Sequence, residues 1–185
     1  LDKITEYSKK RGFNGIRFEQ SGEGNPDMYS HRAEILNYSK KIGMQNVYVT
    51  TGSRIDSNLK MSLVENASFI RISFPGIEES YSHYSKQNKF TFLDALNKLE
   101  TLANERFKQG REKDLMIGAR VALRERHIGD YFNFAKIIKN MGLDSLQIVK
   151  ILVPEGKQPE EFPLFLKDTE DLQKTMSLDN EKFNV

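Results

Sequence analysis

Residues 15–26 read Gly-Ile-Arg-Phe-Glu-Gln-Ser-Gly-Glu-Gly-Asn-Pro, a short apolar run that empties into a glycine-rich turn. Gly22 and Gly24 let the backbone approach a ligand and expose amide N–H groups, while Glu23 between them offers a carboxylate to an ammonium or hydroxyl group. Pro26 limits the freedom of the loop, and Asp27 or Ser30 is placed to cap a following helix. The plainer reading is an ordinary turn built of turn-forming residues. The turn is neither a dinucleotide fingerprint nor a phosphate loop, because the third glycine and a Gly-Lys-Ser/Thr ending are missing.

Upstream, residues 2–11 are polar with Ile4 and Tyr7 on one side, which predicts a helix stopped by Gly12. Downstream, Ile35, Leu36, Tyr38 and Ile42 recur at helical spacing over 29–42, with Gly43 as the stop. Val47-Tyr48-Val49-Thr50 predicts a strand ending in Thr51-Gly52. A short helix over 56–66 leads into the strand 69–74, closed by Pro75-Gly76. After a polar loop over 77–89, residues 91–109 predict the longest helix, with Leu93, Leu96, Leu99 and Leu102 inward. Strands follow at 115–123 and 145–153, around a helix at 130–141. The tail from residue 155 is rich in Pro, Glu, Lys and Asp; residues 154–185 are expected as an extension of the domain 1–153, either irregular or docking on the barrel, and the apolar stretch 162–166 is expected to dock.

Strand–helix–strand alternation predicts an α/β fold with parallel pairing and right-handed crossovers. An open doubly wound sheet and part of a (β/α) barrel both satisfy the pattern, and in both the ligand lies beyond the C-terminal strand ends. Those ends fall at 20–26, 50–53, 73–76, 120–125 and 150–154, and they are more polar than the strands feeding them.

Composition narrows the class. A chain of 185 residues supports one sizeable hydrophobic core, and 12 Phe and 7 Tyr supply bulky material for it. The formal charge of +2 comes from interspersed acids and bases, which argues against a nucleic-acid-binding face. No apolar run reaches membrane-spanning length and no signal-peptide pattern is present, so a cytoplasmic protein is expected. The sequence contains no cysteine, which excludes thiolate ligands, disulfides and cysteine nucleophiles within these residues. His31, His83 and His127 lack the spacing of a zinc site and are expected as surface or cap residues.

The succession Gln-Ser-Gly-Glu-Gly-Asn-Pro, Thr-Thr-Gly-Ser, Arg-Ile-Ser-Phe-Pro-Gly and Ile-Gly-Ala-Arg-Val resembles the core of the radical S-adenosylmethionine (radical SAM) enzymes over about residues 1–153. That family carries a Gly-Gly-Glu-Pro-like motif after its second strand, a Thr-Asn-Gly-like end after its third and an Arg-x-Ser-like fourth strand. The resemblance implies a partial (β/α) barrel, incomplete at its N-terminus, that takes SAM and a [4Fe–4S] cluster. It implies an enzyme generating a 5′-deoxyadenosyl radical, a small-molecule or peptide substrate, and an electron donor such as flavodoxin or ferredoxin.

By position, the resemblance sets Ser21, Gly22, Glu23 and Gly24 at the SAM amino group and Ser73 near its ribose. Arg120 falls near the SAM carboxylate, the alternative being a structural ion pair with Glu19 or Glu23. Arg124 is a second, more exposed candidate. The loop departs from the family in ending Gly24-Asn25-Pro26, and the Cys-x₃-Cys-x₂-Cys motif is absent, which makes the chain a fragment or a homologue that lost its cluster. Two other readings remain: a non-catalytic binding domain, and an unrelated barrel enzyme using Glu19, Glu23 or a Schiff-base Lys150.

Overall fold

The computed structural model describes residues 1–13, 15–21, 25–78, 80–81, 90–123, 129–150 and 166–185. In chain order the elements are α1 (Asp2–Lys10), β1 (Ile16–Gln20), a 3₁₀ turn (Pro26–Met28), α2 (Arg32–Lys41), β2 (Met44–Thr50), α3 (Ser57–Asn66) and β3 (Ala67–Phe74). They continue with α4 (Phe92–Lys108), β4 (Met116–Leu123), α5 (Tyr131–Asn140), β5 (Ser145–Lys150) and α6 (Leu166–Met176). The five strands form one sheet in the order β1-β2-β3-β4-β5, with β1/β2, β2/β3 and β4/β5 paired parallel. The order never reverses. A doubly wound sheet needs a reversal to create its ligand crevice, so this is the strand order of a barrel wall.

The chain divides into two compact units. The first comprises Leu1–Ile72 and Lys98–Ile117. Its apolar centre is Leu36, Tyr48, Leu59, Leu63, Ile70, Ile72, Leu99 and Leu102, all essentially inaccessible to solvent. Burying each such side chain contributes roughly 1.5–3 kcal/mol. β2 begins at Met44, earlier than the apolar run 47–50 predicts, because Asn46 is buried rather than solvated. Its Nδ2 donates to Leu36 O (2.9 Å) and Asn66 O (3.1 Å), and its Oδ1 accepts from Ser39. With both ends of the amide satisfied, a polar residue occupies a core position without an orphaned group. Arg111 performs a similar service at the end of α3, donating to the carbonyls of Val64, Glu65 and Ala67.

The second unit comprises Ser73–Asn97 and Gly118–Val185. Phe74 lies at its centre, edge-on to Tyr81, Phe92 and Phe134 at ring separations of 6.0, 5.7 and 5.1 Å. Burial, with the Asp94 charge, pushes the Tyr81 phenol up to about 12, so its proton stays on. β4 and β5 approach so closely at Gly118 that a Cβ there would lie 2.3 Å from Ser145 Oγ and 3.1 Å from Ser145 O, so a larger residue requires the Ser145 side chain to move. The end of the chain ties onto β5, with Leu146 N donating to Asn184 O and Asn184 N to Asp144 O, both at 2.9 Å.

Three sequence expectations shift. Phe92, not Leu93, turns inward at the start of α4, and Leu93 is 67% exposed. On α1, Ile4 and Tyr7 are both more than half exposed. Within the tail expected to be irregular, residues 166–176 form α6, which packs on α5; residues 151–165, including most of the 162–166 stretch, lie outside the described residues.

Asp171 of α6 fixes the start of α5. Its buried carboxylate accepts from the backbone N–H of Gly129 (3.0 Å), Tyr131 (3.2 Å) and Phe132 (3.3 Å), donors that a helix N-terminus leaves unpaired. Asp171→Ala should therefore destabilise the chain by about 2–3 kcal/mol in a urea titration, since it orphans three amides at once. Asp130 answers oppositely. Burial and the neighbouring Asp171 charge raise its carboxyl above the usual range. A raised carboxyl costs stability once pH climbs through the ordinary carboxylate range and costs nothing below it. Asp130→Asn should thus raise Tm at pH 7 by about 1–2 °C, and the gain should vanish near pH 3.

Candidate functional site

The described rim of the glycine-rich turn is held by one buried carboxylate. Asp27, 1% exposed, lies in the 3₁₀ turn directly after Pro26. Tyr48 Oη donates to its Oδ1 (2.9 Å), and Thr50 Oγ1 donates to its Oδ2 (2.6 Å). Thr50 Oγ1 in turn accepts from Gly52 N at 2.9 Å. Burial first, and then the charge and hydrogen bond of Asp27, hold the Tyr48 phenol far above its usual range, so it remains a donor. Gly52 is required here: its φ of +80° lies in the left-handed region, and a Cβ would press on Ile72 Cδ1 at 3.1 Å.

Asn25 completes the brace. Its Oδ1 accepts from Asp27 N (3.2 Å), capping the 3₁₀ turn, while its Nδ2 donates to Thr51 Oγ1 (2.8 Å) and Ser53 Oγ (3.3 Å). The cap is therefore neither of the two residues expected, Asp27 and Ser30. Asn25 is the cap, and Asp27 is the buried hub that joins the turn after β1 to the loop after β2. Ser30 is exposed and takes no part in it.

The other face of the same strands is open. Arg17 and Glu19 of β1, Gln45 and Val47 of β2, and Phe69 and Arg71 of β3 line a concavity of about 440 Å³. Strand alternation explains the division: Asn46, Tyr48 and Thr50 face the helices, and the residues between them face the cavity. A register shift between Asn46 and Val47 places the extra residue Ser68 at the cavity edge, where its hydroxyl donates to Asn46 O (2.9 Å).

Of the residues singled out in the sequence, Ser21 is exposed and its hydroxyl donates to Glu19 Oε1 at 2.8 Å. Ser73 is half-buried, one residue before the end of β3. Arg120 is half-buried in β4, between Ala119 and Val121, and makes no hydrogen bond or ion pair among the described residues. Gly22, Glu23, Gly24, Arg124, His83 and His127 lie outside the described residues, as does the side chain of Lys150 at the end of β5. His31 is exposed beside Glu34, its Nδ1 2.9 Å from the carboxylate. No group of His, Asp and Glu among the described residues could hold a metal ion, and no helix among them is long and apolar enough to cross a membrane.

Asp27→Ala should cost about 3 kcal/mol, because it leaves Tyr48 and Thr50 hydroxyls buried without an acceptor. Hydrogen exchange should show the Gly52 and Arg54 amides losing protection well before those of β3. Asp27→Asn, which keeps an acceptor oxygen, should cost less than half as much.

Sequence comparison matches no family model and no curated protein. Solved structures do match. Streptococcus suis SuiB superposes with a TM-score of 0.72 at 10% identity, covering 99% of this chain and 41% of SuiB. TYW1 with a lysine–pyruvate adduct bound gives 0.63 at 16% identity, over 96% of this chain and 54% of TYW1. The structure of anSMEcpe with bound AdoMet gives 0.63 at 22% identity, over 96% and 49%. The chain thus spans about two-fifths to one-half of the length of these proteins. At such identities the likeness speaks for the fold. Five parallel strands in sequential order in one sheet, with helices between them, give this chain the partial-barrel α/β fold of these solved structures.

Proposed function

We propose that the chain is the SAM-positioning part of a radical SAM enzyme. The observation that carries this reading is the fold match over 99% of the chain to SuiB, which has been solved bound to S-adenosylmethionine. The bound SAM would supply a 5′-deoxyadenosyl radical for hydrogen abstraction from substrate. The protein supplies orientation and electrostatics.

The proposed roles lie within each unit separately. In the first unit, Glu23 of the turn that carries Ser21, Gly22 and Gly24 is the proposed acceptor for the methionyl ammonium, and the Asp27 hub fixes the chain where it leaves that turn. In the second, Ser73 near the end of β3 is the donor for the ribose. Arg120 is a half-buried cation that an incoming carboxylate compensates; leaving it unpaired there is costly.

The residues present do not fit an iron–sulfur cluster. No cysteine occurs among the 185 residues, and no other ligand group is assembled among the described ones. On the radical SAM reading, cluster ligands are supplied by residues other than these, and the electron donor is a flavodoxin or ferredoxin. The lack of cysteine also favours a second reading, a barrel that keeps SAM or a related ligand as a binding domain without cleaving it.

The test is SAM cleavage by the whole protein that contains this chain, reconstituted anaerobically with iron and sulfide. A brown chromophore and release of 5′-deoxyadenosine on reduction are expected. Glu23→Ala and Arg120→Leu should each weaken SAM binding by about tenfold, the loss of one charge-assisted contact. Tight SAM binding with no cleavage would select the binding-domain reading. No SAM binding, with both substitutions silent, would end both.

A further inference from the structure

The concavity of the first unit contains a donor pair that the SAM assignments leave unused. Arg17 and Gln45 are direct partners in the β1/β2 register, so their Cα atoms lie about 5 Å apart on neighbouring strands. Both side chains line the cavity, both are exposed, and neither makes a hydrogen bond among the described residues. A guanidinium beside a carboxamide, with all donors uncommitted, matches the two oxygens of a carboxylate.

Their height in the cavity gives the pair a direction. Arg17 and Gln45 lie near the starts of their strands. The next level along the same face holds Glu19, Val47 and Phe69, and the level above holds Val49 and Arg71. Each step of two residues is about 6.6 Å. A molecule anchored at Arg17 therefore runs past an apolar wall toward the C-terminal strand ends. The cavity of about 440 Å³ accommodates a molecule of amino-acid to dipeptide size.

Resting on the radical SAM reading, we propose that the substrate is a small amphipathic carboxylic acid, held by Arg17 and Gln45 at the foot of this concavity. Its apolar body lies against Val47 and Phe69, and its reacting end faces the C-terminal edge of the sheet. Glu19, one level up on the same face, lowers the local positive potential, so a monoanion is the matched charge and a phosphate dianion is not.

The experiment is a titration of the ¹⁵N,¹³C-labelled 185-residue chain, followed by NMR, with N-acetyl-L-leucine and separately with N-acetyl-L-leucinamide. The acid should bind with a dissociation constant on the order of 1 mM and shift Val47, Val49 and Phe69. The amide should bind at least about tenfold more weakly, and Arg17→Gln should reduce acid binding by about tenfold while the spectrum stays folded. Equal binding of acid and amide, shifts that map elsewhere, tighter binding of isobutyl phosphate, or no acid binding by the folded chain would overturn the proposal. SAM is titrated in parallel. SAM binding without acid binding overturns the carboxylate seat alone. Acid binding by the chain, with no SAM binding by the reconstituted whole protein, overturns the radical SAM reading and keeps the seat.

Discussion

The buried carboxylate of Asp27 is the constraint on which the first unit's strand-end loops depend. A charge removed from water must be matched by donors, and three reach it: the Tyr48 and Thr50 hydroxyls, closely, and the Arg54 amide, more distantly. Each of these donors comes from β2 or the loop after it, whereas Asp27 follows β1. Satisfying the charge thereby fixes one loop against another. An apolar residue at this position would leave only the Asn25 side chain to join the two loops, because no apolar contact is directional enough to set them in register.

The same alternation that buries Tyr48 and Thr50 opens the opposite face of β2. Tyr48 and Thr50 form the brace, and Val47 and Val49 between them line the cavity with Arg17 and Glu19. A one-residue slip would exchange brace and cavity lining. The register shift at Asn46/Val47 lies just below that crossover, and the buried Asn46 amide, bonded to Leu36 O and Asn66 O, holds it there. Structural polarity on one face thus protects chemical polarity on the other.

Much of the fold was legible because the chain alternates apolar runs with helical periodicity. The five strands fall where Ile16–Phe18, Val47–Thr50, Phe69–Phe74, Ile117–Val121 and Leu146–Val149 predict them. Alternation alone left barrel and open sheet undecided, since the two differ only in strand order, a long-range property; the family resemblance chose the partial barrel, and the strand order agrees. Single polar residues misled in a consistent direction. Asn46, a polar residue at the start of a strand, is core; Asp27 reads as a cap and is a hub. Nothing local distinguishes these, because the partners that make burial tolerable lie elsewhere: Asn66 is twenty residues from Asn46, and Thr50 twenty-three from Asp27. Leu93 erred differently: a leucine ladder fixes a helix face only to within one residue, and Phe92 buries more surface in the same place.

The second unit reaches the same solution with different parts. Asp171 is also a buried carboxylate, also remote in sequence, and also receives donors from the segment that follows a strand, here the start of α5 after β4. It differs in that all three donors are backbone amides, which no substitution at Gly129, Tyr131 or Phe132 short of proline removes. The brace at Asp27 relies on two side-chain hydroxyls and is correspondingly open to change: replacing Tyr48 or Thr50 alters the loops after β1 and β2 without touching the backbone. A barrel that must hold its frame while its strand-end loops diversify gains from this asymmetry. The backbone-bound carboxylate anchors an element of the frame, and the hydroxyl-bound carboxylate lies beside the glycine-rich turn, where altering one side chain re-aims the residues that follow β1.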